Sequence, residues 1–399
     1  MESYYNTRIV YIQSLLIAFF ADIRCINWGL TSGGFAGEGV MSILYIAIVG
    51  LIFVSTLFTL KKIKSSFSSY SIFLPIYLLV FYLITSVIVA APVVSISYFL
   101  IFTIVAYLIP HITIVSSKLL LKAMMIFPSF AVLRLQAVFA SSVSWATRLP
   151  MDVSYGYLIP IVANIVFLWF YFKDESRGAK LITLVFSGIN FVFFLNILLF
   201  GSRGPILCIF LLLCFLWCIR INHFTGFKID KRRLYILLFS GILIVAFFIP
   251  VMSYMNDRLF EYGIEVDAIS KIINLQDAGD ISNGRNDLNE KTWIGIINHP
   301  ILGNGLDQYD NNYPGDDYPH NFILQILYDG GILLFLIFLP VFRKIPGYLK
   351  TCSRDDLAVF SVFSFASVPG ALFSQDLWCI PVLWMFFGLM CTKYFTVRY

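Results

Sequence analysis

Three residues in this 399-residue chain have side chains and neighbours that suit chemistry on an anion. Arg203 lies in the turn 201–205 between two apolar runs, and Arg285 and His320 lie in the polar stretch 282–331. That stretch is nearly the only long polar run in a chain that is 59% hydrophobic, and it holds two of the four histidines. A guanidinium binds phosphate oxygens in a planar fork, and an imidazole can take a proton near pH 7. The three residues could therefore hold an anionic leaving group and activate a nucleophile.

The turn around Arg203 has the sequence GSRGP and predicts the start of a helix. Ser202 or Gly204 can cap this helix, and Pro205 suits its first turn. The helix N-terminus would then present free N–H groups beside a guanidinium, which is an arrangement suited to phosphate oxygens. The alternative is an arginine that extends towards lipid headgroups without a specific ligand.

Arg285 stands near the start of a segment whose apolar residues predict a short amphipathic helix. Asn283-Gly284 is typical of a turn, and His299-Pro300 would end the helix. The apolar residues are Leu288, Trp293, Ile294, Ile296 and Ile297. Such a helix would lie on the outer membrane surface with Trp293 at headgroup depth. Arg285 could bind a lipid phosphate there, or the helix could anchor the segment without a specific ligand.

His320 begins the next apolar run, at the outer boundary of a predicted membrane helix. Its imidazole could act as a general base or as a hydrogen-bond donor, and Asn321 could cap the helix or orient a ligand. A histidine at a helix start can also have a purely structural role. Asp329 lies nine residues beyond His320, on the opposite helix face, so we expect it to pair elsewhere in the bundle. Gly330-Gly331 would let another helix approach or would permit a kink.

The elements that must position these residues are membrane helices. With only 13% charged residues, the composition excludes an ordinary soluble domain. Apolar runs of about 20 residues, long enough to cross about 30 Å of hydrocarbon, predict an all-α polytopic protein of about twelve spans. The predicted spans are 8–29, 40–60, 71–91, 95–115, 119–140, 154–173, 180–200, 204–221, 233–254, 320–342, 355–374 and 377–396. Residues 1–399 would form a single integral membrane domain, with 255–319 as one large external loop.

Lysine and arginine set the orientation of the chain. With both termini in the cytoplasm, 20 of the 28 basic residues fall on the inner side, whereas the reverse orientation would invert this bias. The segment 255–319 is then external. The net charge of +5 is explained by contact with anionic lipid rather than by nucleic acid. The cysteines show no metal-ligand spacing, and Asp316-Asp317 is interpreted as solvated, so we expect no metal site.

Taken in order, these motifs resemble those of the bacterial O-antigen ligase and O-antigen polymerase superfamily. The similarity covers roughly 200–335, and the span count and the large late loop agree over the whole length. The matching residues are Ser202-Arg203-Gly204, Gly284-Arg285, Trp293, His299-Pro300, Gly303, Gly305, His320-Asn321 and Gly330.

The resemblance implies a GT-C-like fold and an inverting, metal-independent and cofactor-free glycosyl transfer at the periplasmic face of the inner membrane. The donor and the acceptor would be oligosaccharides linked to undecaprenyl diphosphate. Arg203 and Arg285 would hold the donor pyrophosphate, and His320 would activate or orient the acceptor hydroxyl. The further expected substrate contacts are Asn321, Tyr309, Tyr313 and Trp293. Membrane lipid is an expected partner, and a chain-length regulator protein is a candidate one.

Within the superfamily, the loop composition favours a polymerase. Asp307, Asp310, Asp316 and Asp317 lie close to two tyrosines. Carboxylates and aromatic rings suit neutral sugars, whereas a ligase must accept an anionic lipid A core, which an acidic loop would repel. A ligase remains the first alternative. A polysaccharide flippase is the alternative outside enzymes, although no internal repeat of the kind expected in transporters is visible.

Overall fold

The architecture is almost entirely helical. The computed structural model describes residues 7–21, 23, 26, 38–59, 68–89, 99–142, 151–200, 202–222, 226–240, 254–255, 257–258, 261, 285–306, 308–314, 318–392 and 395–396. In chain order the helices are α1 (Thr7–Ala21), α2 (Glu38–Leu57), α3 (Ser69–Val89), α4 (Ala106–Ile112), α5 (Ser117–Ser142), α6 (Met151–Phe170), α7 (Arg177–Phe200), α8 (Arg203–Cys218), α9 (Arg285–Asn298), α10 (Tyr309–Asn312), α11 (Phe322–Thr351), α12 (Arg354–Phe365), α13 (Val368–Phe373) and α14 (Pro381–Cys391).

Shorter elements join these helices. A π-helical stretch, Leu100–Val105, leads directly into α4. Single 3₁₀ turns are formed by Phe172–Asp174 and Leu377–Cys379. After α8, the strands β1 (Ile219–Asn222) and β2 (Gly226–Ile229) pair antiparallel as a two-stranded ribbon.

Each of the twelve predicted spans contains helix among its described residues. Within the described ranges, three helical stretches are long and apolar enough to cross a membrane on their own, namely Arg177–Leu198, Phe322–Thr351 and Arg354–Phe373. Other apolar helices are shorter, with 10–17 residues. The predicted helical class is therefore confirmed, while the number of crossings, the external loop and the GT-C-like arrangement remain predictions.

The chain divides into two compact units. Unit 1 comprises Met1–Ala21, Ser42–Ala123 and Arg285–Tyr399, and unit 2 comprises Asp22–Met41 and Met124–Gly284. Unit 1 therefore contains α9 to α14, which carry Arg285 and His320. Unit 2 contains α6, α7 and α8 with Arg203.

In unit 1, α14 forms the centre of the packing. Gly388 allows α14 to approach α4 closely, because a Cβ atom there would overlap the carbonyl oxygen of Tyr107. Trp378 and Trp384 stack with ring centroids 5.6 Å apart, and both are almost fully buried. In unit 2, α6 packs on α7 through Tyr157 and Phe193, whose parallel rings lie 4.8 Å apart.

Helix α11 is broken at Gly331, which has φ +61° and ψ −163°. Loop 299–305 covers the break and pairs its backbone groups. The N–H groups of Ile332 and Leu333 donate to the carbonyls of Pro300 and Ile301, at 2.8 and 3.3 Å. The predicted kink at the glycine pair is thus present, and so is the predicted helix end at His299-Pro300, since α9 ends at Asn298.

The second half of this loop forms hydrogen bonds to the last turn of α11 before the break. The N–H groups of Asn304 and Gly305 donate to the carbonyls of Tyr328 and Asp329, at 2.8 and 2.9 Å. The Asn304 side-chain amide donates to Tyr328 as well, at 3.1 Å. Gly303, with φ +72°, lies against the Asp329 carbonyl and leaves no room for a Cβ atom. The loop and the break therefore form one hydrogen-bonded unit.

We expect the substitution Gly331→Ala to destabilise the protein. The residue has positive φ, and the new Cβ would overlap the Ile301 carbonyl, so a loss of about 1–3 kcal/mol is expected. Gly347→Ala, in the same helix, is the control, because its Cβ would meet nothing within 4 Å. Thermal unfolding of the purified proteins in detergent measures both. Equal midpoints for the two variants would contradict this account of the break.

Candidate functional site

The site in unit 1 is built where the N-terminus of α9 meets the turn that follows α13. Arg285 is the first residue of α9, and its Nη2 donates to Ser374 Oγ at 3.4 Å. Ser374 is buried, whereas Arg285 is partly exposed. Among the described residues no acidic side chain pairs with Arg285, so a neutral hydroxyl orients the guanidinium and its charge stays available for an anion.

The same serine also contacts the segment that leads to His320. Tyr318 Oη donates to the carbonyl oxygen of Ser374 at 2.7 Å. The rings of Tyr318 and His320 meet edge to face, with centroids 4.4 Å apart. Ser374 therefore contacts Arg285 directly and is connected to His320 through Tyr318. The structure thus attaches both predicted site residues to the same short turn.

His320 has an unusual backbone. Its φ of +52° is the one positive value found at a non-glycine residue in the described part of the chain. Histidine adopts this left-handed region more readily than most residues, although it is uncommon. Asn321 follows as the N-cap of α11, and its Oδ1 accepts from the N–H groups of Ile323 and Leu324 at 3.0 and 3.3 Å. The predicted capping role of Asn321 is confirmed, and this cap fixes where the helix starts after His320.

A second set of hydrogen bonds fixes the turn to α11. Gln325 Nε2 donates to Asp376 Oδ1 at 2.6 Å, and Gln325 Oε1 accepts from the N–H of Leu377 at 2.9 Å. One turn further along α11, Asp329 Oδ2 accepts from the indole of Trp378 at 2.7 Å. The prediction that Asp329 pairs within the bundle is confirmed. The carboxylate is 1% exposed, so this contact belongs to the interior rather than to the site.

Tyr309 and Tyr313, predicted to contact sugars, lie in an aromatic cluster with Tyr328. Tyr309 is 1% exposed, and its hydroxyl donates to the Leu288 carbonyl at 2.9 Å. Its ring therefore packs α9 against α11 and has no open face for a sugar. Tyr313 is partly exposed, and its hydroxyl donates to the Lys291 carbonyl at 2.9 Å. Only the second ring has an edge accessible from outside.

Trp293 lies on the outer face of α9 and is 49% exposed. The predicted short helix is present, but its apolar residues divide between two faces. Leu288 and Ile296 pack inward against the tyrosine cluster, whereas Trp293 and Ile297 point outward. The exposed face is therefore not occupied by the packing of unit 1.

Arg203 occupies the predicted position in unit 2. It is the first residue of α8, and Ser202 occupies the N-cap position, with φ −78° and ψ 154°, but the predicted capping hydrogen bond from its side chain is not formed. The N–H of Ser202 contacts Ser154 Oγ at 3.4 Å. Arg203 is partly exposed, beside the positive end of the helix dipole. This local geometry is suited to an anion, as the sequence predicted.

Several residues of the site lie outside the motifs recognised in the sequence. Tyr318, Ser374 and Asp376 were not singled out in the sequence. One signal was present for the last two, since Ser374-Gln375-Asp376 is the polar break between the last two predicted spans. Of the four carboxylates on which the acidic-loop argument depends, the structure describes one. Asp310 is exposed, and Asp307, Asp316 and Asp317 lie outside the described residues.

Residues 188–339 match the model of a protein family described as O-antigen ligase. The matched region includes Arg203, Arg285 and His320, and it ends inside α11. A comparison with curated proteins finds no match.

Loss of the α11 cap should be measurable apart from any effect on a ligand. Asn321→Ala removes the acceptor for two N–H groups and should lower the free energy of unfolding by about 1 kcal/mol. Asn321→Asp keeps an acceptor oxygen and should retain most of the stability. Asn298→Ala, at the exposed end of α9, is the control and should change little. If the Asp variant unfolds as early as the Ala variant, capping is not the source of the loss.

Proposed function

We propose that this chain, which belongs to the O-antigen ligase/polymerase superfamily, is an O-antigen polymerase of the bacterial inner membrane. It would join oligosaccharide repeat units carried on undecaprenyl diphosphate, by inverting glycosyl transfer at the periplasmic face. The observation that carries this proposal is the match of 188–339 to the family, because all three residues chosen for their chemistry lie inside it.

The leaving group of this reaction is a lipid pyrophosphate, and its departure needs a cation that cannot lose its proton. Arg285 meets this requirement, since it begins a helix and is oriented by the neutral Ser374 hydroxyl. A guanidinium fork and a helix N-terminus both stabilise phosphate oxygens. We assign Arg285 to the pyrophosphate of the donor.

Arg203 is assigned to the same donor on two grounds. The superfamily resemblance includes the Ser202-Arg203-Gly204 turn, and α8 begins at Arg203 as an anion-binding helix N-terminus would. The assignment depends on this local geometry and on the resemblance alone.

His320 is the proposed base for the acceptor. A sugar hydroxyl is a weak nucleophile and reacts faster when a group of suitable pKa takes its proton. The left-handed backbone of His320, its contact with Tyr318 and the capped helix after it hold the imidazole in one place. Such strained conformations persist when the surroundings enforce them, and they are frequent at functional sites.

A polymerase is favoured over a ligase by the loop charge, since an acidic loop accepts neutral sugars and repels an anionic lipid A core. The description of the matched family favours the ligase, which is the second candidate. Among substrate contacts, the exposed edge of Tyr313 and the ring of Trp293 remain candidates for sugar or lipid. A chain-length regulator remains a candidate partner.

The lipopolysaccharide of a deletion strain tests the proposal. A polymerase defect leaves a single repeat unit on the core and removes the ladder of longer chains. A ligase defect removes all O-antigen from the core and leaves polymer on the lipid carrier. A missing periplasmic precursor would indicate a flippase and would overturn the proposal.

Removal of the Arg285 side chain should nearly abolish polymer. Arg285→Ala removes a stabilising contact to the leaving group, and losses of about 10²–10³ in rate are typical for such contacts. Arg285→Lys should restore activity only in part, because a point charge replaces a fork. Arg258→Ala is the control, because Arg258 is exposed and pairs with Glu261 at 3.0 Å. Normal polymer from Arg285→Ala at normal protein levels would remove Arg285 from the mechanism. Arg203→Ala is expected to lose polymer in the same way and is tested by the same comparison.

Substitution of His320 should separate proton transfer from backbone geometry. Asparagine tolerates positive φ but cannot take a proton, so His320→Asn keeps the turn and removes the base. We expect glycosyl transfer to slow by about two to four orders of magnitude, with little change in donor binding. His299→Asn, in the exposed loop after α9, is the control. High activity of His320→Asn would limit His320 to orienting the hydroxyl, and equal losses at both histidines would indicate a folding defect.

A further inference from the structure

The exposed face of α9 changes character along its length. Asn286, Glu290, Trp293 and Ile297 are spaced by four, three and four residues, so they share one side of the helix. All four are exposed, the first two are polar, and the last two are apolar, with exposures of 49% and 71%. A helix that lay flat on a membrane would be apolar along the whole of one side. The boundary instead crosses the helix between Glu290 and Trp293.

The apolar end continues into the loop that follows. We use the term apolar tip for Trp293, Ile294, Ile297, Ile301 and Leu302, which are 49%, 49%, 71%, 64% and 63% exposed. Five large apolar side chains exposed within ten residues form a patch that water would disfavour. Two neutral polar residues, Asn298 and His299, are also exposed there, and no charged side chain lies between Trp293 and Leu302.

Several backbone groups in and beside the tip are already paired within the protein. The Pro300 and Ile301 carbonyls accept from α11, and the Gly303 N–H donates to the His299 carbonyl at 3.0 Å. Asn304 and Gly305 donate to α11 on the other side of the break. Each such pairing lowers the cost of moving that polar group away from water.

The tip is also continuous with the exposed apolar side of a candidate membrane span. Ile332 and Leu333 receive the two loop carbonyls and are 43% and 39% exposed, and Leu336, one turn further, is 52% exposed. The break lies within the candidate span Phe322–Thr351, nine residues after its start, or about 14 Å at 1.5 Å per residue. The tip therefore lies beside the first part of that span.

We propose that the apolar tip is a lipid-binding surface that inserts into the outer leaflet of the membrane, the side on which the sequence predicts residues 255–319. Helix α9 would then stand steeply on the membrane. The occupant is the acyl-chain region of the bilayer. Trp293 lies at the headgroup boundary, where tryptophan is enriched. Glu290 and the residues before it stay in water. The proposal holds whichever reaction the protein catalyses, since it depends on the exposed apolar side chains and on the neighbouring candidate span.

Cysteine labelling on one face of α9 tests the boundary. Ile297→Cys and Glu290→Cys lie on the same side of the helix, about 10 Å apart along its axis. The full-length protein in lipid vesicles is treated with a membrane-impermeant maleimide, before and after detergent, beside the wild-type protein as background. Glu290→Cys should label at once, and Ile297→Cys should label only after detergent. Equal labelling of both positions before detergent would overturn the proposal.

Brominated lipid distinguishes acyl chains from a covering protein, with the native sequence in place at the tip. Vesicles contain the purified full-length protein and phosphatidylcholine brominated along the acyl chain. The difference in tryptophan fluorescence between the wild-type protein and Trp293→Phe isolates the signal of Trp293. This signal should be quenched by the brominated lipid. A signal that brominated lipid leaves unchanged, with Ile297→Cys still protected, would mean that a second copy of the chain covers the tip, and would overturn the proposal.

Discussion

The pairing of backbone polar groups at the break in α11 is the constraint on which the arrangement of unit 1 depends. A helix that breaks at Gly331 releases N–H and carbonyl groups that an apolar environment would leave unsatisfied, at a cost of several kcal/mol each. Loop 299–305 satisfies those groups on both sides of the break. Because Gly303 and Gly331 leave no room for a Cβ atom, the contact is made at one register. The loop and α9, which enters it, are therefore fixed against the first half of α11.

This frame determines where the candidate site forms. The first half of α11 carries Gln325 and Asp329, which bind the segment around Asp376 and Trp378. That segment in turn presents Ser374 to Arg285 and to Tyr318. A cation and an imidazole, 35 residues apart in the sequence, are thus both positioned by contacts that lead to one serine. Groups held in this manner need little reorganisation when charge develops in a transition state.

Local patterns in the sequence were sufficient for the elements and insufficient for the contacts between them. The helix starts at Ser202-Arg203 and at Asn321, and the helix end before His299, depend on residues within one turn, so the sequence predicts them. The burial of Tyr309 depends on Tyr328 and Leu288, which are 19 and 21 residues away. A tyrosine in an acidic loop looks accessible until its tertiary partners are known. The roles of Ser374 and Asp376 arise from contacts across 51 to 89 residues, and no periodicity encodes these contacts.

The choice of a hydroxyl as the partner of Arg285 has an electrostatic consequence. A buried or half-buried guanidinium is commonly held by a carboxylate, which orients it and also cancels its charge. An anionic ligand would then have to compete with that carboxylate or bind a neutral pair. Ser374 orients the guanidinium through a neutral hydrogen bond, whose net contribution is about 1 kcal/mol. The nearest carboxylate along the chain from that serine, Asp376, has one oxygen occupied by Gln325 and the N–H of Trp378. The arrangement thus keeps the positive charge of Arg285 for an anionic ligand.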